Sequence, residues 1–94
     1  LITMKFTNMY VEGQWIAITK NGQGTAPSDV GLVCRIAKIY EEGKSPARYK
    51  HYTIEIDRDK EGNRDRYLAI TVIRHATPEE IQKNEAINNN YAIY

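Results

Sequence analysis

The stretch HYTIEIDRDKEGNRDRYLAITVIRHATPEEI, residues 51–81, decides the fold of this chain. It holds two segments of alternating apolar and polar residues, HYTIEID and RYLAITVI, on either side of a charged tip that contains Gly62-Asn63. Alternation with a period of two is the pattern of a half-buried β-strand, and a Gly-Asn pair between two such segments is typical of a hairpin turn. The stretch therefore predicts a β-hairpin followed by a helix.

Each arm of this predicted hairpin has a core face. The core face of the first arm consists of Tyr52, Ile54 and Ile56, and that of the second arm consists of Leu68, Ile70 and Val72. The opposite face of the first arm carries the polar residues His51, Thr53, Glu55 and Asp57. We expect that face to be solvated, because successive side chains of a strand point to opposite sides of the sheet.

The helix start is marked by Thr77, Pro78 and Glu80. The Thr77 hydroxyl can accept a hydrogen bond from the amide of Glu80 while the Glu80 carboxylate reaches back, and a proline at the first helical position gives up an amide that would be unpaired. We expect the helix to cover about residues 77–88 and to end at the asparagine run 88–90. The last residues, YAIY, then add an edge strand or stay unpaired.

The first third of the chain predicts a second hairpin and a loop. Residues 4–11 and 14–20 both have strand character, and the Glu12-Gly13 pair between them predicts a tight connection. Residues 21–31, NGQGTAPSDVG, contain three glycines and a proline, a composition that favours turns. We expect this segment to be a mobile or excursive loop.

Residues 32–41 carry apolar side chains on both faces of a predicted strand. One face has Leu32, Cys34 and Ile36, and the other has Val33, Ala37 and Ile39. A strand that is long, bent or centrally placed explains this pattern better than a flat one. The chain as a whole predicts a mainly β fold, a partly open barrel of five to six antiparallel strands with one short C-terminal helix, because closing a sheet removes its exposed edges.

The composition indicates one small domain. Of the 94 residues 13 are basic and 12 acidic, and the net charge of +1 gives no large positive field of the kind that marks a dedicated nucleic-acid binder. We expect a single domain over residues 4–94, with residues 1–3 either left from cloning ahead of a start at Met4 or native. A lone cysteine and the lack of a long apolar run predict a cytoplasmic protein with no membrane contact.

No catalytic or metal-binding pattern stands out in the sequence. Cys34 lies in an apolar strand, where a cysteine acts as a small buried hydrophobe, and His51 and His75 are expected at the surface. Residues 57–65 begin like a calcium loop, but arginines take later ligand positions and the twelfth position lacks a glutamate. We therefore predict no enzyme activity, no metal and no cofactor.

Basic and aromatic residues form a candidate binding surface. They are Lys38, Tyr40, Arg48, Tyr49, Lys50, Arg58, Arg64 and Arg66. Tyrosine rings can stack on bases or on partner side chains, while the cations pair with phosphates or carboxylates. The alternative is that the tyrosines are half-buried and the charges only keep the hairpin soluble, since acidic neighbours such as Glu41 and Glu55 dilute the positive charge.

The order of these features resembles that of the small SH3-like barrels, including the KOW-type modules. The resemblance rests on a strand that contains Trp15, the flexible loop, the segment VGLVCRI at 30–36 and the hairpin that closes at ATPEE, and it covers about residues 11–87. The chain is also similar in style to short accessory proteins of bacteriophages. The resemblance implies a binding module whose loops engage a protein or a nucleic acid, and it assigns no individual residue.

Three functions are compatible with these observations. The first is a non-enzymatic accessory or inhibitory protein of phage type that docks on a larger host protein, which the mixed charge and the tyrosines and arginines favour. The second is a KOW-like nucleic-acid binder that uses Arg48, Lys50, Arg64 and Arg66. The third is a barrel that sequesters a small nucleotide-like ligand between subunits, with the glycine-rich loop as its lid. The sequence leaves the oligomeric state open.

Overall fold

The computed structural model describes residues 9–57 and 66–93 of the chain. Its elements are β1 (Trp15–Ile18), β2 (Val33–Tyr40), β3 (Thr53–Ile56), β4 (Arg66–Ala69), β5 (Ile73–His75) and α1 (Pro78–Ile93). Short 3-10 turns at Pro27–Asp29 and Ile70–Val72 precede β2 and β5. The predicted mainly β fold with a C-terminal helix is confirmed.

The strands form one antiparallel sheet in the order β4-β3-β2-β1-β5. β2 lies at the centre, where its first half pairs with β1 and its second half with β3. Within the described residues no pairing joins β4 to β5, so the sheet is not closed by its strands. Strand pairing alone leaves one edge at β4 and another at β5.

The strand predicted to be long, bent or centrally placed is β2, which lies at the centre of the sheet and contains a β-bulge. The pairing register with β3 shifts between Ile36 and Lys38, so that one residue is inserted there. Cys34 and Ile36 are buried before the bulge, and Ile39 packs against the core after it. An inserted residue moves the following side chains to the other face of the strand, which explains why both faces of this segment carry apolar residues.

The core is built largely from isoleucine. The largest fully buried side chains are Ile16, Ile18, Ile36, Ile54, Ile56, Leu68, Val72 and Thr53. All six residues of the predicted core faces are buried, so the burial prediction is confirmed. The predicted second strand is wrong in its length, because it ends at Ala69 and Ile70–Val72 form a 3-10 turn. Burial of one large apolar side chain stabilises a fold by about 1.5–3 kcal/mol. The only cysteine is a free, buried thiol, so this apolar core holds the sheet together.

The polar face of β3 is less solvated than predicted. Thr53 is fully buried, because β3 lies between two strands and the cross-strand neighbours of Thr53 are Tyr40 and Ala69. The Thr53 hydroxyl donates a hydrogen bond to the carbonyl of His51 at 3.0 Å. A hydroxyl that is satisfied by its own strand segment can be buried at little cost. The prediction of a solvated Thr53 was therefore wrong.

The β1–β2 loop packs against β4 instead of extending into solvent. The amide of Ala69 donates to the carbonyl of Gln23 at 3.2 Å, and the Arg66 side chain donates to the carbonyl of Gly24 at 2.7 Å. Arg66 also forms an ion pair with the nearly buried carboxylate of Asp29, with 2.9 Å between Nη2 and Oδ2. The loop thereby covers the outer edge of β4, which would otherwise expose unpaired backbone groups.

The capping box predicted at the helix start is confirmed. The amide of Thr77 donates to the Glu80 carboxylate at 2.8 Å, and the amide of Glu80 donates to the Thr77 hydroxyl at 3.2 Å. Both carboxylate oxygens of Glu80 also accept hydrogen bonds from Arg74 of β5, at 2.9 and 3.0 Å. These contacts lower the pKa of Glu80 to about 2, and the hydrogen bonds from Arg74 have a larger effect than the bond from the Thr77 amide. The first turn of α1 is thus tied to the sheet.

The end of α1 differs from the prediction. The helix continues to Ile93, past the asparagine run at 88–90 where we expected it to stop. Asparagine lowers helix propensity only modestly, and neither glycine nor proline follows Pro78 to break the helix. Residues 91–93 are therefore helical and do not form an edge strand. In the part of the chain that the structure describes, no helix is both long enough and apolar enough to cross a membrane.

The predicted N-terminal hairpin is not formed at β1. This strand pairs with β2 on one side and with β5 on the other, so it offers no free edge to the preceding segment. The chain turns at Gly13, whose φ of 90° is accessible mainly to glycine. Before that turn, the buried Tyr10 ring stacks on His75 with 4.4 Å between ring centroids. Residues 4–8 of the predicted first strand lie outside the described residues.

Candidate binding surface

Four side chains come together on the outer face of β2, β3 and β4, and we call them the tyrosine face. They are Lys38, Tyr40, Glu55 and Tyr67. In the pairing register Lys38 lies opposite Glu55, and Glu55 lies opposite Tyr67. The neighbouring pair of Ile54 and Leu68 is buried on the inner side, so alternation places these four residues on the outer side. The structure thus brings two of the predicted residues, Lys38 and Tyr40, together with two others.

The tyrosine rings of this face are held in place by their neighbours. The Tyr40 hydroxyl donates to the Glu55 carboxylate at 3.0 Å, and Nζ of Lys38 lies 5.1 Å from the centroid of the Tyr40 ring. The Tyr67 ring meets the Tyr40 ring edge-on, with 6.0 Å between centroids. Rings that are already ordered lose little conformational entropy when a partner binds. The tyrosine face is therefore preorganised for contact.

The loop between β2 and β3 presents Arg48, Tyr49 and Lys50. Three backbone hydrogen bonds fold it, from the amide of Gly43 to the carbonyl of Tyr49 at 2.9 Å, from the amide of Lys44 to the carbonyl of Glu41 at 3.0 Å and from the amide of Arg48 to the carbonyl of Ser45 at 2.8 Å. Arg48 has a φ of 57°, in the left-handed region that residues other than glycine and asparagine rarely adopt. Arg48 and Lys50 are exposed and Tyr49 is half-buried. The loop thus displays two cations on a folded backbone.

Of the three remaining predicted arginines, the structure describes Arg66. Arg66 is half-buried, and its guanidinium binds the Asp29 carboxylate and the Gly24 carbonyl. Arg66 therefore makes contacts inside the fold, and its part in a binding surface stays a prediction. Arg58 and Arg64 lie outside the described residues, and their role stays a prediction.

The candidate surface carries charges of both signs. Its exposed cations are Lys38, Arg48 and Lys50, none of which has a carboxylate within ion-pair distance in the described part of the chain. Its acidic residues are Glu41, Glu42 and Glu55. The positive charge is therefore spread between acidic groups and does not form one continuous basic patch.

Cys34 does not belong to the candidate surface, because its side chain is buried. The side chain is buried, as predicted, and desolvation together with the nearby Asp57 raises the pKa of the thiol to about 12. A thiol that stays protonated at neutral pH is a poor nucleophile. Among the described residues no three histidine, cysteine or carboxylate side chains come together as a metal site.

Two features near the surface were missed from the sequence. Tyr67 was assigned only to the hairpin alternation, because its position opposite Glu55 depends on a register that the sequence does not give. The second is the contact between Trp15 and Arg35, which come from strands whose pairing was not predicted. Neither contact has a local signal, since each joins residues of different strands.

The chain matches no protein-family model, no curated protein and no solved structure. The geometry and charge of the tyrosine face and of the β2–β3 loop are therefore the basis for a function.

Proposed function

We propose that the chain is an SH3-like, partly open barrel that works without catalysis, by binding another protein. The strand order supports the barrel, because β5 returns to lie beside β1 and the bent β2 takes part in both halves of the sheet. The β1–β2 loop supports it further, since the loop covers the edge that strand pairing leaves open at β4.

The binding site in this proposal consists of the tyrosine face together with Arg48, Tyr49 and Lys50. The observation that carries it is the Tyr40 ring, which is held by a hydrogen bond, a cation and a second ring. Tyrosine and arginine are among the residue types that dominate binding energy at protein interfaces. A preordered aromatic centre with charged residues around it has the layout of such an interface.

The charge of the surface supports a protein partner over a nucleic acid. Binding to a phosphate backbone depends on several cations that release counterions. Here the tyrosine face includes the acidic residue Glu55, and the Arg66 guanidinium forms an ion pair with the Asp29 carboxylate. Charges of both signs suit a partner that also carries both signs, as protein surfaces do.

The similarity in style to short accessory proteins of bacteriophages supports a host protein as the partner. A small, preordered module of this kind acts by covering or altering a surface of a larger protein. The expected result is inhibition or redirection of that protein without covalent change.

Affinity capture tests this proposal. The tagged chain is incubated with a lysate of host cells, with and without nuclease, beside two variants. The site variant carries Arg48→Asn and Tyr49→Ala, where asparagine tolerates the left-handed backbone at position 48. The control variant carries Lys20→Gln, which removes one exposed cation at the end of β1. Circular dichroism establishes that both variants are folded.

The proposal is supported if the wild type and the control capture the same protein with and without nuclease. The site variant should then capture at least about tenfold less of that protein. A captured set that disappears with nuclease contradicts it in favour of the nucleic-acid function. Capture that is unchanged in the site variant contradicts the assignment of the surface.

A further inference from the structure

Trp15 and Arg35 form a second aromatic and cationic cluster, on the half of the sheet that contains β1. They lie opposite each other in the register of β1 and β2. The guanidinium carbon of Arg35 lies 5.3 Å from the centroid of the Trp15 ring, within cation–π range. Trp15 is half-buried, whereas 52% of the Arg35 side chain is exposed. The guanidinium therefore rests on the ring and faces solvent.

Asp57 contacts Arg35 at the Nε atom and at the backbone amide. Its Oδ2 lies 3.5 Å from Nε of Arg35, and its Oδ1 accepts a hydrogen bond from the Arg35 amide at 3.1 Å. Among the described residues, the two terminal nitrogens of Arg35 have no hydrogen-bond or ion-pair partner. The Trp15 ring and the Asp57 carboxylate thus orient the Arg35 guanidinium, and its two terminal nitrogens are open to a ligand.

An exposed apolar residue lies next to this cluster in the chain. Val11 is 55% exposed, and it belongs to the turn that leads directly into Trp15. Hydrogen bonds in both directions between Val11 and Gln14, at 2.8 and 3.1 Å, fix this turn. Met9, just before it, is 49% exposed. Exposed apolar side chains on an ordered turn that precedes a tryptophan in the chain are typical of an interaction surface.

We propose that Trp15 and Arg35 anchor a second contact surface, which binds an acidic peptide segment of a partner protein. The peptide carboxylate takes the two terminal nitrogens of Arg35 in the bidentate geometry that a guanidinium favours. An apolar neighbour of that carboxylate lies against Val11 and the Trp15 ring. This surface shares no residue with the tyrosine face, so it goes beyond the function proposed above and stands independently of it.

The fluorescence of Trp15 reports on this surface directly, because it is the only tryptophan of the chain. The full chain is titrated with acetyl-Glu-Leu-Glu-Leu-amide, with the uncharged acetyl-Gln-Leu-Gln-Leu-amide, and with acetyl-Gln-Leu-Gln-Leu that has a free C-terminal carboxylate. Inorganic phosphate is a fourth probe. The variants are Arg35→Gln, Arg35→Lys and, as a control outside both surfaces, Lys20→Gln, which removes an exposed cation.

We expect the glutamate peptide to give a saturable fluorescence change in the wild type and in Lys20→Gln. Arg35→Gln weakens that binding about ten- to hundredfold, because the charged hydrogen bonds are lost. Arg35→Lys gives an intermediate affinity, since it keeps the charge but not the fork. Binding of the peptide with a free C-terminal carboxylate also supports carboxylate recognition and extends it to chain ends.

Three results would overturn the proposal. One is an equal response to the uncharged amide peptide, and another is an equal response to inorganic phosphate, which would show no preference for a peptide. The third is an unchanged affinity in both Arg35 variants when thermal unfolding shows that they are folded.

Discussion

Arg66 and Asp29, 37 positions apart in the chain, form an ion pair that joins β4 to the β1–β2 loop with 2.9 Å between Nη2 and Oδ2. Asp29 Oδ2 also accepts the amide of Ala26 at 2.8 Å, so this carboxylate organises the loop as well as fixing it to the strand. The contact fixes the loop at the β4 edge of the sheet. It also gives the glycine-rich loop a fixed position, which argues against a freely moving lid.

Removal of this ion pair should destabilise the fold. We expect Arg66→Met to lower the free energy of unfolding by about 2–3 kcal/mol, because it leaves a nearly buried carboxylate with fewer partners. The control is Arg35→Met, which breaks a more exposed and longer ion pair with Asp57 and should cost less than about 1 kcal/mol. Urea unfolding of both variants measures the difference, and equal losses would contradict the role given to Arg66.

The close approach of Gly24 to β4 makes a second prediction. Gly24 and Gly31 have nearly the same φ, 91° and 93°, but a Cβ at Gly24 would collide with the Tyr67 carbonyl, whereas a Cβ at Gly31 meets no atom within 4 Å. Both alanine variants incur the strain of a left-handed backbone, about 1–2 kcal/mol. Gly24→Ala should cost at least about 2 kcal/mol more than Gly31→Ala, because the loop must also move off the strand. Similar thermal unfolding of the two variants would contradict the loop position.

The helix start predicts an acid dependence of stability. The pKa of Glu80 is lowered in the folded state from 4.5 to about 2 by Arg74 and Thr77, so the folded protein releases this proton more easily than the unfolded chain. The stabilisation is complete above about pH 4.5 and is lost as the pH falls toward 2. Between these values, the unfolding midpoint of the wild type should fall more steeply than that of Glu80→Gln. Parallel pH profiles for the two proteins would contradict the contact.

The buried thiol makes a prediction about labelling. Because the pKa of Cys34 is about 12 in the fold, iodoacetamide at pH 9 should react with the native protein more than about a hundredfold more slowly than with the urea-unfolded chain. A native rate close to the unfolded rate would show that the thiol is exposed. Mass spectrometry of the labelled protein measures both rates.

The parts of the fold that were predicted correctly are those with a local signal. The capping box spans four positions from Thr77 to Glu80, and the apolar faces of β3 and of the segment 68–72 repeat with a short period. The bend in β2 was also readable, because a bulge leaves apolar residues on both sides of one strand. In each case neighbouring residues carry the information.

The features that were missed depend on residues far apart in the chain. The ion pair of Arg66 and Asp29 cannot be read from either segment of the sequence, since 37 positions separate the two residues. Thr53 was placed in solvent because its burial depends on both neighbouring strands. The end of α1 was misjudged for a different reason, since asparagine propensity is too weak to stop a helix.

Site-specific photo-crosslinking tests the proposed protein-binding surface most directly. A benzophenone amino acid replaces Lys38 or Lys50 in the proposed surface, and replaces the exposed Thr71 in the 3-10 turn as the control. After irradiation in cells that produce the variant, we predict one discrete, nuclease-resistant protein adduct at Lys38 and at Lys50, and none at Thr71. Adducts of equal yield at all three positions, or adducts that nuclease removes, would contradict a protein partner on this surface.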